Sequence, residues 1–261
     1  MEKNILLSCQ NVTVGYANKK TTKTVATDIN FEIENGQLIA MIGENGIGKS
    51  TLLRTLIGIQ NHISGTILLN QKKINDYSNL DLAQNLSVVL TEKIPPSNLT
   101  VFEIIALGRQ PYTNWLGKLS DVDLQKINEA IQLTNIEHLC DKKHFEISDG
   151  QLQIVMIARA LAQDTPIIIL DEPTTHLDLL HKVSLLKLLK KLCKETNKCI
   201  LFSSHDIDLA IQISDKMIVM TTEKTYYGEP NNLINQGIFD KLFNDSSIVF
   251  DAKKGNFIID N

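Results

Sequence analysis

The run Gly43-Glu44-Asn45-Gly46-Ile47-Gly48-Lys49-Ser50 constrains this chain more than any other feature, because it fits G-x-x-x-x-G-K-[ST] in full. An apolar stretch at residues 37–42 leads into it. A helical stretch at residues 49–57, stopped by Gly58, leads out of it. Strand, glycine-rich turn and helix is the local order that the pattern requires. Phosphate chemistry explains the composition. Glycines permit the dihedrals that turn successive backbone N–H groups inward into an anion nest. The helix behind adds the positive end of its dipole. Lys49 brings a full charge to the terminal phosphates, Ser50 offers a hydroxyl to Mg²⁺, and Thr51 reaches another phosphate oxygen. ATP with Mg²⁺ is the expected ligand. The bland alternative is a glycine-rich turn that matches by chance, and the flanking strand and helix weigh against it.

A second feature sits far downstream. Ile167-Ile168-Ile169-Leu170 reads as a buried strand, and Asp171-Glu172 follow it at once. Open α/β sheets bind ligands beyond the carboxyl ends of their strands. Asp171 is expected to hold Mg²⁺ through water, and Glu172 to polarise the attacking water as a general base. An acidic loop after a strand is common, but with the phosphate loop upstream this one reads as a hydrolytic pair.

Around these landmarks the pattern changes twice. Residues 5–7, 12–16 and 29–33 read as strands, Glu34-Asn35-Gly36 as a turn, and residues 64–69 as strand again. From about residue 98 to 147 helical periodicity takes over, with helices expected at 100–107 and 121–133. Ser120-Asp121-Val122-Asp123 places a cap and acids at a helix start. This stretch reads as a helical insertion. Alternation then resumes: helix at 150–162, strand at 166–170, leucine-rich helix at 179–194, strand at 199–203. A hairpin closes the chain at about 246–260, turning at residues 251–256. Helices alternating with buried strands predict a mainly parallel sheet.

Composition narrows the class. The 261 residues fit one large domain, or one with a small insertion. A net charge of -4 makes nucleic acid a disfavoured partner. Cys9, Cys140, Cys193 and Cys199 form no C-x-x-C pair and read as reduced thiols. No signal peptide is expected at the N-terminus, and no apolar run approaches the roughly 20 residues that span a bilayer. Work at a membrane would need another subunit to span it.

Three further segments fall in order: Ser148-Asp149-Gly150-Gln151, Pro173-Thr174-Thr175-His176-Leu177-Asp178 and Ser203-Ser204-His205-Asp206. With the two phosphate-site motifs, the series resembles the nucleotide-binding subunit of an ABC transporter over nearly the whole chain. The resemblance implies a P-loop NTPase fold: α/β, a mainly parallel central sheet, an N-terminal antiparallel β subdomain and a helical insertion. It implies that Ser148, Gly150 and Gln151 contact the γ-phosphate of ATP bound to a second copy. Asp178 would lie in the loop crossing that interface. His205 would be the switch histidine on the γ-phosphate, and Tyr16 the aromatic that stacks on adenine. Glu172, His205 and Lys49 are then the candidate catalytic residues. Singly, a Tyr packs and a His is a satisfied surface or core group; the order and spacing favour the functional roles.

Two positions depart from the family pattern. Asp149 stands where the first of two glycines is usual, and its carboxylate is expected to point away from the phosphates. Thr91 stands where a glutamine normally touches Mg²⁺; threonine is shorter by about two heavy-atom bonds, so contact would run through water. Leu107-Gly108-Arg109-Gln110-Pro111-Tyr112 resembles ATPases of importers for ferric siderophores, haem and cobalamin. The bland reading of Arg109 and Tyr112 is a capped helix end with a packing aromatic. The subfamily implies transmembrane permease subunits docked on the helical insertion, a substrate-binding protein beyond them, and a cytoplasmic site on the inner face of the membrane. A cytosolic nucleotide switch is the rival reading, though such proteins usually carry two cassettes. A DNA-repair ATPase would need heptad arms that are absent here, and no Asn-Lys-x-Asp segment supports a GTPase.

Overall fold

Short β-branched runs separated by helical stretches set the order of elements. The chain runs β1 (Ile5–Ala17), β2 (Thr22–Glu34), β3 (Leu38–Gly43), α1 (Lys49–Leu56), β4 (Ser64–Leu69), β5 (Lys72–Lys73), α2 (Asn79–Ala83) and β6 (Leu86–Val89). Helices α3 (Val101–Ala106), α4 (Asp121–Thr134) and α5 (Asp149–Ala162) follow. Then come β7 (Ile167–Leu170), α6 (Leu179–Thr196), β8 (Cys199–Ser203), α7 (Ile207–Ile213), β9 (Lys216–Met220), β10 (Thr225–Gly228), α8 (Pro230–Asn235), β11 (Ile248–Asp251) and β12 (Asn256–Ile259). This computed structural model describes residues 5–17, 21–90, 97–243, 247–252 and 254–259.

The central sheet has the order β10-β9-β3-β8-β7-β6. All its pairs are parallel except β10 with β9. Parallel strands are covered on both faces, which is why β3, β7 and β8 are buried at every position and carry no polar alternation. Alternate residues still divide between two cores. Leu38, Ala40 and Ile42 pack with Val155 of α5 and Leu189 of α6. Ile39 and Met41 pack with Val12, Ile29 and Leu52, under the N-terminal sheet and α1. Each fully buried aliphatic side chain contributes about 1.5–3 kcal/mol.

The N-terminal sheet is antiparallel, in the order β2-β1-β4-β5. Residues 5–7 and 12–16, expected as separate strands, form the single β1. Its register shifts between Cys9 and Val12, where Asn11 has φ 50°. A bulge bends a strand without ending it, and the sequence there resembles a break.

Capping boxes begin the three successive helices: Thr100 with Glu103, Ser120 with Asp123, Ser148 with Gln151. Each satisfies two otherwise orphaned N–H groups. They also move the expected boundaries by a residue: Thr100 caps α3, and Asp149 already lies in α5. Arg109 is buried, where its Nε donates to Asp123 Oδ1 at 2.8 Å and its Nη1 to the Ala162 carbonyl at 2.8 Å. Its guanidinium carbon lies 4.0 Å from the Tyr112 ring centroid. Hydrogen bonds from Ser120, and then from Arg109, pull Asp123 down to about 2. This buried pair ties α4 to the far end of α5.

All four cysteines are free, with Cys9, Cys193 and Cys199 buried. Among the described residues no helix is long and apolar enough to cross a membrane.

Candidate functional site

Strands β3, β7 and β8 run parallel, so the loops that leave their carboxyl ends share one edge of the sheet. These loops carry the phosphate motif, Asp171-Glu172 and His205 respectively.

The phosphate loop needs glycine at two places for reasons the structure makes explicit. Gly43 has φ 156° and Gly48 φ 115°. A Cβ on Gly43 would sit 2.5 Å from the Met220 carbonyl oxygen, and one on Gly48 would run into Val25 Cγ1. Gly48 also caps α1 without a side chain, leaving the helix N–H groups to the loop's concave side. Lys49 is only 5% exposed. Its Nζ donates to the carbonyls of Gly43 at 2.7 Å and Glu44 at 3.1 Å. Burial lowers its pKa, and the charges of Glu172 and Asp171 oppose that shift. The loop closes on itself where the Ile47 N–H donates to the Glu44 carbonyl at 3.3 Å.

A cleft of about 430 Å³ brings Asn45, Gly46, Gly48, Lys49, Ser50 and Thr51 together with Tyr16, Glu172 and His205. Tyr16 is half exposed, and its hydroxyl is 3.1 Å from Thr51 Oγ1. Its ring edges the cleft while its hydroxyl anchors on the helix. Lys23, Thr24 and Val25 of β2 also line the cleft. Sequence reasoning missed them, because nothing in Thr22-Lys23-Thr24-Val25 distinguishes a lining strand from an edge strand.

The acidic end of β7 is tightly held. The Asp171 N–H donates to the Val89 carbonyl at 2.9 Å. Ser203 Oγ donates to Asp171 Oδ1 at 2.7 Å, and the Glu172 N–H donates to Ser203 Oγ at 2.8 Å. Glu172 itself has φ 49°. A left-handed conformation costs a residue with a Cβ about 1–2 kcal/mol, and such strain persists only where the surroundings fix it. Glu172 Oε1 lies 2.6 Å from His205 Nε2, and Thr175 Oγ1 donates to Glu172 Oε2 at 3.2 Å. A carboxylate held from both sides, facing a cleft with a buried ammonium, can accept a proton from water beside a bound anion. Ser203 was also missed in the sequence; its signal was one hydroxyl closing an otherwise apolar strand.

Ser148, Gly150 and Gln151 do not line this cleft. The Gln151 N–H donates to Ser148 Oγ at 3.3 Å, and the Ser148 N–H to Gln151 Oε1 at 3.0 Å. Asp149 is the first residue of α5, where a carboxylate complements the helix dipole. That gives the substitution a local reason. Asp178 caps α6 by accepting the His181 N–H at 2.9 Å. Thr91 lies outside the described residues. Among the described residues no group of three or more His, Cys, Asp or Glu could hold a metal ion by itself.

A family model for ABC transporters matches residues 26–175. The chain is 42% identical over 257 residues to an uncharacterised ABC transporter ATP-binding protein of Methanocaldococcus jannaschii, covering 98% of this chain and 87% of the relative. It is 37% identical over 214 residues to the iron(3+)-hydroxamate import ATP-binding protein FhuC of Bacillus subtilis, covering 82% of this chain and 78% of that protein. Among solved structures, it is similar to a dimeric ATP-binding cassette in a post-hydrolysis state bound to ADP and Pi. The TM-score there is 0.71 at 27% identity, covering 86% of this chain and 98% of the other.

Proposed function

This chain belongs to the ABC transporter family of ATP-binding subunits, and from that premise we propose that it hydrolyses ATP as one of two head-to-tail copies that drive a membrane importer. One observation carries the reading. The cleft holds Lys49, Glu172 and His205, whereas Ser148, Gly150 and Gln151 lie outside it. One copy therefore offers half a site, and a second copy turned to face it supplies the rest. The dimeric relative described above has this stoichiometry.

Each residue then has a role. The loop amides and Lys49 bind the triphosphate. Tyr16 offers its ring to the adenine. Glu172 takes the proton of the attacking water, and His205 holds that carboxylate and reaches the γ-phosphate. The oxygen donors Ser50 and Asp171 suit Mg²⁺, a hard ion that keeps few protein ligands and completes its shell with phosphates and water. When bound, the ion neutralises charge on the phosphate oxygens.

Two copies would close on two ATP molecules and reopen after hydrolysis. Permease subunits would receive that motion at the helices around residues 98–147, placing the protein on the inner membrane face, with a substrate-binding protein on the other side. The cargo we propose is a ferric siderophore or a similar metal chelate. The similarity to an iron(3+)-hydroxamate import subunit and the Gly108-Arg109-Gln110-Pro111-Tyr112 run support it. Cells lacking this subunit should lose uptake of a radiolabelled ferric hydroxamate and regain it on complementation. Undiminished uptake removes that cargo.

A further inference from the structure

The two carboxylates at the end of β7 share one small neighbour. Ser203 is fully buried at the end of β8. Its hydroxyl gives its one proton to Asp171 Oδ1 and accepts the N–H of Glu172. The ladder between β7 and β8 stops at Leu170 and Phe202. Beyond that rung Asp171 still bonds on the β6 side, its N–H donating to the Val89 carbonyl, and the chain turns at Glu172, which enters the left-handed region at φ 49°. The serine side chain thus replaces the next rung of the ladder, its hydroxyl accepting the N–H that the turned Glu172 backbone donates. Two residues further along the same segment, His205 holds the other end of Glu172 at 2.6 Å. A hydroxyl on a buried strand more often satisfies a carbonyl nearby. Both bonds of this one go to the acidic pair.

We infer that Ser203 is a positioning residue for hydrolysis: it fixes the Asp171 carboxylate and the Glu172 backbone together, and so aims the Glu172 carboxylate at His205 and the cleft. The inference rests on the reading of Glu172 as the base. Ser203 is fully buried and does not line the cleft, so it acts through its two neighbours.

Steady-state turnover and ATP binding of the full chain test it, with Ser203→Thr, Ser203→Val and Glu172→Gln measured side by side. Threonine and valine have nearly the same shape, and only threonine keeps the hydroxyl. The Ser203→Thr protein should retain kcat within about threefold, whereas Ser203→Val should lose about 10–100-fold in kcat. KM for ATP should stay within about twofold in both, the mark of an interaction that acts on the chemical step. Ser203→Ala, which adds no bulk, serves if valine does not fold, and should show the same loss. Equal turnover of the Thr and Val proteins overturns the inference, as does a loss confined to KM or to thermal stability. Native turnover in Glu172→Gln instead overturns the reading of the base, and the Thr–Val comparison still decides the role of Ser203.

Discussion

At the scale of single residues, the site is built from positions where the wrong atom cannot fit or cannot be held. Gly48 is the sharpest case. Its φ of 115° and the nearness of Val25 leave no room for a Cβ. Gly48→Ala should raise the Kd for ATP by roughly tenfold or more, equivalent to about 1.4 kcal/mol, as titration with a fluorescent ATP analogue would read. An unchanged Kd would remove the loop from the binding role. Glu172→Gln keeps the shape of the side chain and loses the carboxylate proposed as the base. It should keep ATP affinity and lower kcat by about 10²–10⁴-fold, and in a sizing column it should trap an ATP-dependent pair of copies. The residues of the phosphate loop were legible in the sequence because their chemistry is local, one strand, one turn and one helix. Ser203 and Lys23 were not. What makes them part of the site is a neighbour 31 or more residues away, or the mere proximity of a sheet edge.

At the scale of elements, caps and a buried ion pair decide where helices begin and how they lie together. The helix starts were readable because Thr100, Ser120 and Ser148 each precede an acid or amide by three residues. The continuity of β1 was not, since a bulge at Asn11 and a true strand end have the same polar composition. Arg109 with Asp123 shows what composition hides: an acid read as part of a helix start and an arginine read at a helix end are buried together as an ion pair. Removing one partner leaves a buried charge without compensation, so Asp123→Ala should cost about 3–5 kcal/mol in denaturant unfolding. The pH dependence has a definite sign. Asp123 is held at about 2, below its ordinary value of 3.8. Its contribution is therefore complete above about pH 4 and is lost as pH falls through about 2. The stability gap between the native protein and Asp123→Asn should narrow over that acid window. A gap that widens there would show that the pair is not ionised.

At the scale of the whole molecule, the parallel sheet gathers three strand ends onto one edge, yet Ser148, Gly150 and Gln151 at the start of α5 do not line the cleft there. The alternation of strands and helices made this sheet legible in advance. The strand order that sets β3 between β9 and β8 depends on long-range pairing that no local pattern encodes. If each site needs two chains, ATPase activity per mole of protein should climb with protein concentration and then level off. A flat dependence across a dilution series would mean that one copy suffices.

Helix α5 links the two regimes. It begins at the Ser148 cap and ends at Ala162, whose carbonyl the buried Arg109 grips. Fourteen residues of α-helix make a strut about 21 Å long. If permease subunits load the Arg109 end, as proposed above, they meet a guanidinium already held by Asp123, the Ala162 carbonyl and the Tyr112 ring. In that reading the load would pass along the strut toward Ser148 at its other end. With two copies facing each other, as also proposed, the stiffness of this one member would set how faithfully a push from outside reaches the phosphate bound by the facing copy.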